Sequence, residues 1–268
     1  MSLFLSGLRK LRRRAATTVT FGLLGGLLSL IIIAVATTGS GPGGDEPGFD
    51  PLTLVTFPGA YELVLAFILQ IGGLFALIYG AAIAGSEWSW GTLKAAVARG
   101  ESRSRYVLSL FGGTAVITAV GLLVTFLIGV FAAVVGATIA GVPLDGMTDT
   151  QRILDLAEPA GRGLVGITAQ GALGFAIATL ARSQLAGIGF GIGLYFGGTF
   201  ATIFLPDIVQ YLPFQLASTA TGGGGGFGDG PPATTGISPD LAVLLLGVWL
   251  IGSLVVAAGF SERAEITG

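Results

Sequence analysis

The length of its apolar runs is the strongest constraint on how this chain folds. A transmembrane helix needs about 20 residues to cross the ~30 Å hydrocarbon core of a bilayer. Isolated strands would leave backbone groups unpaired in lipid, and the alternation typical of a barrel is missing. The sequence therefore predicts an all-α membrane protein that forms one transmembrane domain over residues 1–268. Six stretches are long enough to span: 17–37, 61–84, 106–140, 163–181, 184–205 and 241–260.

Composition excludes several classes of chemistry. The chain has no Cys, no His and no Asn, so disulfides, thiolate nucleophiles and imidazole ligands are absent. The two lysines, Lys10 and Lys94, are followed by Leu and Ala, and neither closes the glycine-rich phosphate loop of an ATPase. We therefore expect a protein that is not itself an enzyme, binds no metal or cofactor and has no nucleic-acid partner.

The distribution of Lys and Arg predicts the topology. With six spans both termini share one side of the membrane, and the positive-inside rule makes that side cytoplasmic. Only Arg152 and Arg162 fall on the other side. We expect a multi-pass protein of a cell membrane, the plasma membrane of a prokaryote. The remaining eleven basic residues all lie on the predicted cytoplasmic side: Arg9, Lys10, Arg12, Arg13, Arg14, Lys94, Arg99, Arg103, Arg105, Arg182 and Arg263.

Two features of this topology have alternatives. Residues 106–144 contain no charge and would measure about 58 Å as one helix. No turn signal interrupts them, which favours one long helix over two spans joined by a hairpin. The basic N-terminus, its apolar run and Ala34-Val35-Ala36 imitate a cleaved signal peptide. The length of 17–37 and the five preceding basic residues favour a retained first span.

The spans contain few polar side chains. A charge at the bilayer centre costs at least ~2.5 kcal/mol and would mark an ion or proton path. Gln70 and Gln170 are the main polar residues at depth, either as interhelical hydrogen bonds or as contacts along a substrate pathway. The scarcity of charge favours a passage for apolar or amphiphilic cargo over an ion-coupled pump.

The glycines of the fifth predicted span and the loop that follows it lead to three further structural predictions. Glycines at 187, 191, 189, 193 and 197 recur at four-residue spacing, for packing within the chain or for self-association. Residues 206–218 are predicted to form a short interfacial helix with Tyr211 and Phe214 at headgroup level. The glycine-rich segment 221–236 that follows is typical of a flexible tether.

The loop at residues 85–105 separates the second and third predicted spans. The pattern from Ser89 to Arg99 predicts a short helix, in which Trp90, Leu93 and Val97 share one face and Gly100 supplies the stop. Trp88 and Trp90 are expected at the membrane interface. By composition alone, the segment could equally be a plain basic loop between two spans.

The same loop resembles that of the ABC-2 type permeases of ATP-binding cassette transporters. Their loop between the second and third of six spans typically has the pattern E-x-x-x-G-T-L-(K/R), followed by an Ala/Leu-rich turn and a basic Ser-Arg segment. The basic leader, the Tyr211-Leu212-Pro213 segment before the last span and the span count also agree, so the resemblance extends over nearly the whole chain. The residues that match the loop pattern are Glu87, Gly91, Thr92, Leu93 and Lys94.

The resemblance implies a transmembrane subunit without catalytic activity. Residues 87–99 would act as a coupling helix in a groove of a separate cytoplasmic ATPase, which binds the ATP and Mg²⁺. Glu87 would lie at its membrane edge, and Lys94 and Arg99 would face acidic residues of the ATPase. A second permease copy would complete the complex, with export favoured over import. The alternative is a membrane scaffold or anchor subunit that transports nothing.

Overall fold

The computed structural model describes residues 8–9, 11–38, 51–98, 100–222 and 236–264, and over these ranges every regular element is helical. A 3₁₀ turn, Pro51–Leu54, precedes the second long helix. The helices are α1 (Ala15–Thr38), α2 (Gly59–Ser89), α3 (Thr92–Ala98), α4 (Arg103–Ala140), α5 (Thr150–Asp155), α6 (Ala157–Ala181), α7 (Gln184–Ala201), α8 (Pro206–Val209), α9 (Pro213–Ala220) and α10 (Pro239–Arg263).

Five helical segments in the described part of the chain are long and apolar enough to cross a membrane. They are Ala15–Thr38, Gly59–Ser89, Arg103–Ala140, Thr150–Ala181 and Pro239–Arg263. The protein is therefore an all-helical, multi-pass type, as the apolar runs predicted. The predicted span at 184–205 corresponds to α7, an 18-residue helix that is not among the five and ends at Ala201.

Two predictions about individual helices have clear outcomes. The uncharged segment after residue 106 forms one continuous 38-residue helix, α4, as expected, and ends at Gly141 with φ of 70°. The predicted helix at 206–218 is wrong as a single element. It is two helices, α8 and α9, because Pro213 starts a new helix after an extended Leu212. Tyr211, between them, is half exposed.

Helix α2 lies at the centre of the bundle, and glycines allow its neighbours to approach. A Cβ at Gly80 would lie 2.2 Å from the carbonyl oxygen of Gly171 on α6. Such a contact is possible only between backbones that touch, the usual form of helix packing in membranes. Helix α1 packs on α4, and α10 packs on α6.

The glycines of α7 divide between two faces. A Cβ at Gly187 would meet Ala178 of α6, and one at Gly191 would meet Leu77 of α2, so these two serve packing within the chain. Gly189, Gly193 and Gly197 have no such neighbour within 4 Å. The predicted tether at 221–236 lies almost wholly outside the described residues.

Candidate functional site

One end of the bundle brings together most of the described basic residues, and it is named the basic end. Arg14, Arg103 and Arg182 all make contacts there, together with the α2–α3 junction. The end of the bundle that contains Gly59, Thr150 and Pro239 is named the opposite end. The predicted coupling segment, 87–99, lies at the basic end over its described residues, 87–98.

The predicted helix from Ser89 to Arg99 is wrong at its start. Helix α2 continues through Ser89, and the short helix α3 begins only at Thr92. Gly91 lies between them with φ of 64°, a conformation that favours glycine and turns the chain. Gly100, with φ of 85°, marks the far end as predicted. Lys94 lies within α3, and Arg99 lies outside the described residues.

The faces of the short helix also differ from the prediction. Leu93 and Ala96 are buried, at 3% and 1% exposure, whereas Ala95 and Ala98 are exposed. Trp90 precedes the helix and is 65% exposed, so it does not share the face of Leu93. Helix α3 is therefore fixed to the bundle by one apolar face and exposes Ala95 and Ala98 on the other.

Glu87 is the centre of a buried polar network. Only 3% of the residue is exposed, because its side chain points from the last turn of α2 into the bundle. Arg14 forms an ion pair with Glu87 Oε1 through Nη2 and donates to Ser86 Oγ through Nη1 at 2.7 Å. Thr92 and Tyr106 both donate hydroxyl hydrogen bonds to Glu87 Oε2.

These partners come from three different segments, and Glu87 itself belongs to a fourth, α2. Arg14 immediately precedes α1, Thr92 is the first residue of α3, and Tyr106 lies in the first turn of α4. The Arg14 guanidinium carbon also lies 5.1 Å from the centre of the Trp90 ring, within range of a cation–π interaction. A single carboxylate therefore joins the short helix to three membrane helices.

A second cluster joins the same end of α2 to α6 and α10. Arg182, which ends α6 with φ of 51°, lies over the rings of Trp88 and Phe260, at 5.3 Å from each. Phe260 belongs to α10, so Trp88 serves as a contact between α2, α6 and α10. Arg103 donates to the carbonyl of Ala264 at 2.6 Å and thereby joins α4 to the end of α10.

The two glutamines lie well away from this end. Gln170 is 97% buried, and a Cβ at Gly73 would lie 1.9 Å from its Oε1, so its side chain occupies the space left by that glycine. Among the described residues this Oε1 accepts no hydrogen bond. The backbone carbonyl of Gln70 accepts a hydrogen bond from Tyr195 on α7 at 3.1 Å.

Sequence reasoning missed the partners of Glu87. It treated Arg14 only as part of the basic leader, and Tyr106 only as the start of a span. The available signal was depth: Arg14 stands directly before one span and Glu87 directly after the next, on the same side of the membrane, so opposite charges at equal depth could meet.

Comparison with known proteins shows the family of this chain. Residues 51–263 match the model of a family described as a protein of unknown function, DUF2705. The chain is also 27% identical over 206 residues to an uncharacterized protein, YhcI, of Bacillus subtilis (strain 168). That match includes 72% of this chain and 64% of YhcI, so it extends over less than two thirds of the relative. With more than half of its residues matched by the family model, the chain belongs to the DUF2705 family.

Proposed function

We propose that this protein is the transmembrane permease subunit of an ATP-binding cassette transporter of the ABC-2 type. In this proposal α7 forms the sixth span, both termini lie in the cytoplasm, and the basic end faces the cytoplasm in accordance with the positive-inside rule. A separate ATPase supplies the energy, since the sequence has no phosphate loop. A second permease copy completes the membrane part of the transporter.

The observation that supports this proposal is the position of Glu87. Its carboxylate accepts from Thr92 at the start of α3 and binds Arg14 beside α1 and Tyr106 on α4. A displacement of α3 would therefore reach α1, α2 and α4 together. This is the arrangement that a transporter needs when a cytoplasmic partner switches its spans between two states.

The exposed face of α3 would be the surface that contacts the ATPase. Ala95 and Ala98 are exposed on it, and neighbouring Trp90 is 65% exposed. Small side chains permit close approach of a groove, and an exposed tryptophan is a frequent anchor of protein interfaces. Glu87 would act from behind this surface, as the link between the docked helix and the spans.

The cargo in this proposal is an apolar or amphiphilic molecule that is exported. Charged side chains in the described part of the bundle lie near its ends, and grooves between its helices are lined almost wholly by apolar side chains. A hydrophobic passage requires no ion to be stripped of water at mid-membrane, which would cost several kcal/mol.

Co-purification from native membranes tests the proposal directly. The tagged full chain is isolated in mild detergent, and associated proteins are identified by mass spectrometry. We expect an ATPase with a phosphate-loop sequence to be recovered in near-stoichiometric amount. Recovery of the chain with other partners but without any ATPase would contradict the permease assignment and favour the scaffold alternative.

Two matched substitutions test the docking surface. Ala95→Asp places an unpaired charge in the proposed interface and should lower ATPase recovery and coupled ATP hydrolysis at least tenfold, since such a charge costs several kcal/mol when desolvated. Ala186→Asp introduces the same charge at an exposed position of α7 at the same end and should leave both unchanged. If the two variants recover the ATPase and support ATP hydrolysis equally, α3 is not the surface that contacts the ATPase.

A further inference from the structure

A long apolar groove runs between α2, α4 and the α5–α6 segment towards the opposite end of the bundle. Its volume is about 340 Å³, within the range of pockets that hold small ligands. On one wall the lining residues include Ile153, Leu156, Ala160, Leu164 and Ile167. Their spacing of three or four residues places them in one stripe along a helix.

The dimensions of this groove suit an extended hydrocarbon chain. From Ile153 to Ile167 the stripe measures about 21 Å at 1.5 Å per residue, whereas one leaflet contributes about 15 Å to the hydrocarbon core. Leu65 and Leu69 of α2 and Leu122 and Phe126 of α4 form the other walls. The groove can therefore hold an acyl chain over the whole depth of one leaflet.

A cation lies where the headgroup of such a lipid would be. Arg152 precedes Leu156 by one helical turn, which continues the lining stripe beyond the end of the groove. Its guanidinium has no ion pair with any acidic residue in the described ranges, whereas Arg162 is paired with Glu158 and Asp240. Arginine binds phosphate through two parallel hydrogen bonds.

The surroundings of Arg152 favour a position at the membrane surface. Ile153 and Leu154 are 45% and 61% exposed, so α5 presents apolar side chains outward beside a charged one. Two carboxylates are equally near along the chain: Asp149 accepts from the backbone N–H groups of Gln151 and Arg152 and caps the helix, and Asp155 accepts from Gln151 Nε2 at 3.1 Å. Glu62 lies in the first turn of α2 and does not line the groove.

We propose that this groove is a binding site for a phospholipid, with one acyl chain along the lining stripe and the phosphate on Arg152. The site is separate from α3 and does not depend on an ATPase. The occupant is a phospholipid of the surrounding bilayer.

Photo-crosslinking tests the site on the intact chain. The protein is reconstituted in nanodiscs that contain a phospholipid with a diazirine in one acyl chain, and labelled peptides are mapped by mass spectrometry. We expect labelling concentrated within 119–126 and 153–167. Ala160→Phe fills the groove and should lower labelling there at least fivefold, whereas Val255→Phe, on an exposed part of α10 outside the groove, should not.

The headgroup contact has its own variants. Arg152→Gln should lower labelling severalfold, and Arg152→Lys, which keeps the charge but not the paired donors, should have an intermediate effect. Uniform labelling of all lipid-facing helices, or labelling insensitive to Ala160→Phe, would overturn the site. Labelling that depends on Ala160 but not on Arg152 would overturn the phosphate contact. Because no ATPase is present, these results are independent of the docking experiments.

Discussion

Arg14 and Arg162 each form ion pairs, but at opposite ends of the bundle and at different depths. The side chains of Arg14 and Glu87 are 8% and 4% exposed. The Arg162 side chain is 27% exposed, and its partners Glu158 and Asp240 are 72% and 86% exposed. The Arg14 and Arg162 clusters each join separate helices. They differ in how far water reaches the charged groups.

That difference determines what each pair contributes. Water screens the Arg162 pairs and can replace either partner, so they add little to stability. The Arg14–Glu87 pair has lost most of its water, and removal of one partner would leave a buried, uncompensated charge. The buried pair therefore makes the positions of its four segments interdependent, whereas the exposed one only biases the contact between α6 and α10.

Arg14→Met should have the largest effect. The substitution keeps most of the side-chain volume but leaves Glu87 buried without its cation, which should lower the free energy of unfolding by about 3–5 kcal/mol. Denaturant titration in mixed micelles provides the measurement. A loss below about 1 kcal/mol would mean that water reaches Glu87 and that the two ends do not differ.

Adding Glu87→Gln to Arg14→Met should recover at least half of that loss. The amide removes the unpaired charge but retains an oxygen that can accept from Thr92 or Tyr106. The comparison of single and double variants isolates the coupling between the two residues. A double variant less stable than Arg14→Met would show that the charge of Glu87 is satisfied by other groups.

Tyr106→Phe should have an intermediate effect. It removes one hydroxyl donor from the buried carboxylate while Arg14 and Thr92 remain, and hydrogen bonds to charged groups contribute about 1.5–3 kcal/mol. The same denaturant titration measures it. Tyr211→Phe, at a half-exposed tyrosine, is the matched control and should be nearly neutral.

Arg162→Met should have the smallest effect. Its carboxylate partners are largely exposed and remain solvated without it, so the expected loss is at most about 1 kcal/mol and should shrink further in high salt. Because the substitution is the one used at Arg14, the two unfolding curves compare the two ends directly. If both variants lose the same free energy of unfolding, the buried and the exposed ion pairs do not differ in their contribution to stability.

The sequence predicted the long helices well and the junction between α2 and α3 poorly. Apolar runs longer than 20 residues have few alternatives in lipid, which is why α1, α2, α4, α6 and α10 agree with the predicted spans. The start of the short helix α3 depends on local geometry. Helix α2 continues past the apolar run through Ser89, and the positive φ of Gly91 separates it from α3.

The candidate site was predicted only in part, because most of its contacts join residues that are far apart in the sequence. Glu87 and Thr92 stood out by their positions in one loop, but Arg14 and Tyr106 lie 73 and 19 residues away from Glu87. No local pattern encodes such contacts, because they arise when helices align at a common depth. The burial of Glu87 follows from those distant partners and not from the loop itself.

The distance along the chain between Arg14 and Glu87 also imposes an order on biosynthesis. At about 5–20 residues per second, roughly 4–15 s separate the synthesis of the two residues. Throughout that interval Arg14 has no Glu87 to pair with and must stay hydrated. The polar network closes only after α2 has formed and has brought Glu87 to the end of the bundle where Arg14 lies. Assembly of the basic end is therefore completed only when the start of α4 brings Tyr106 to Glu87.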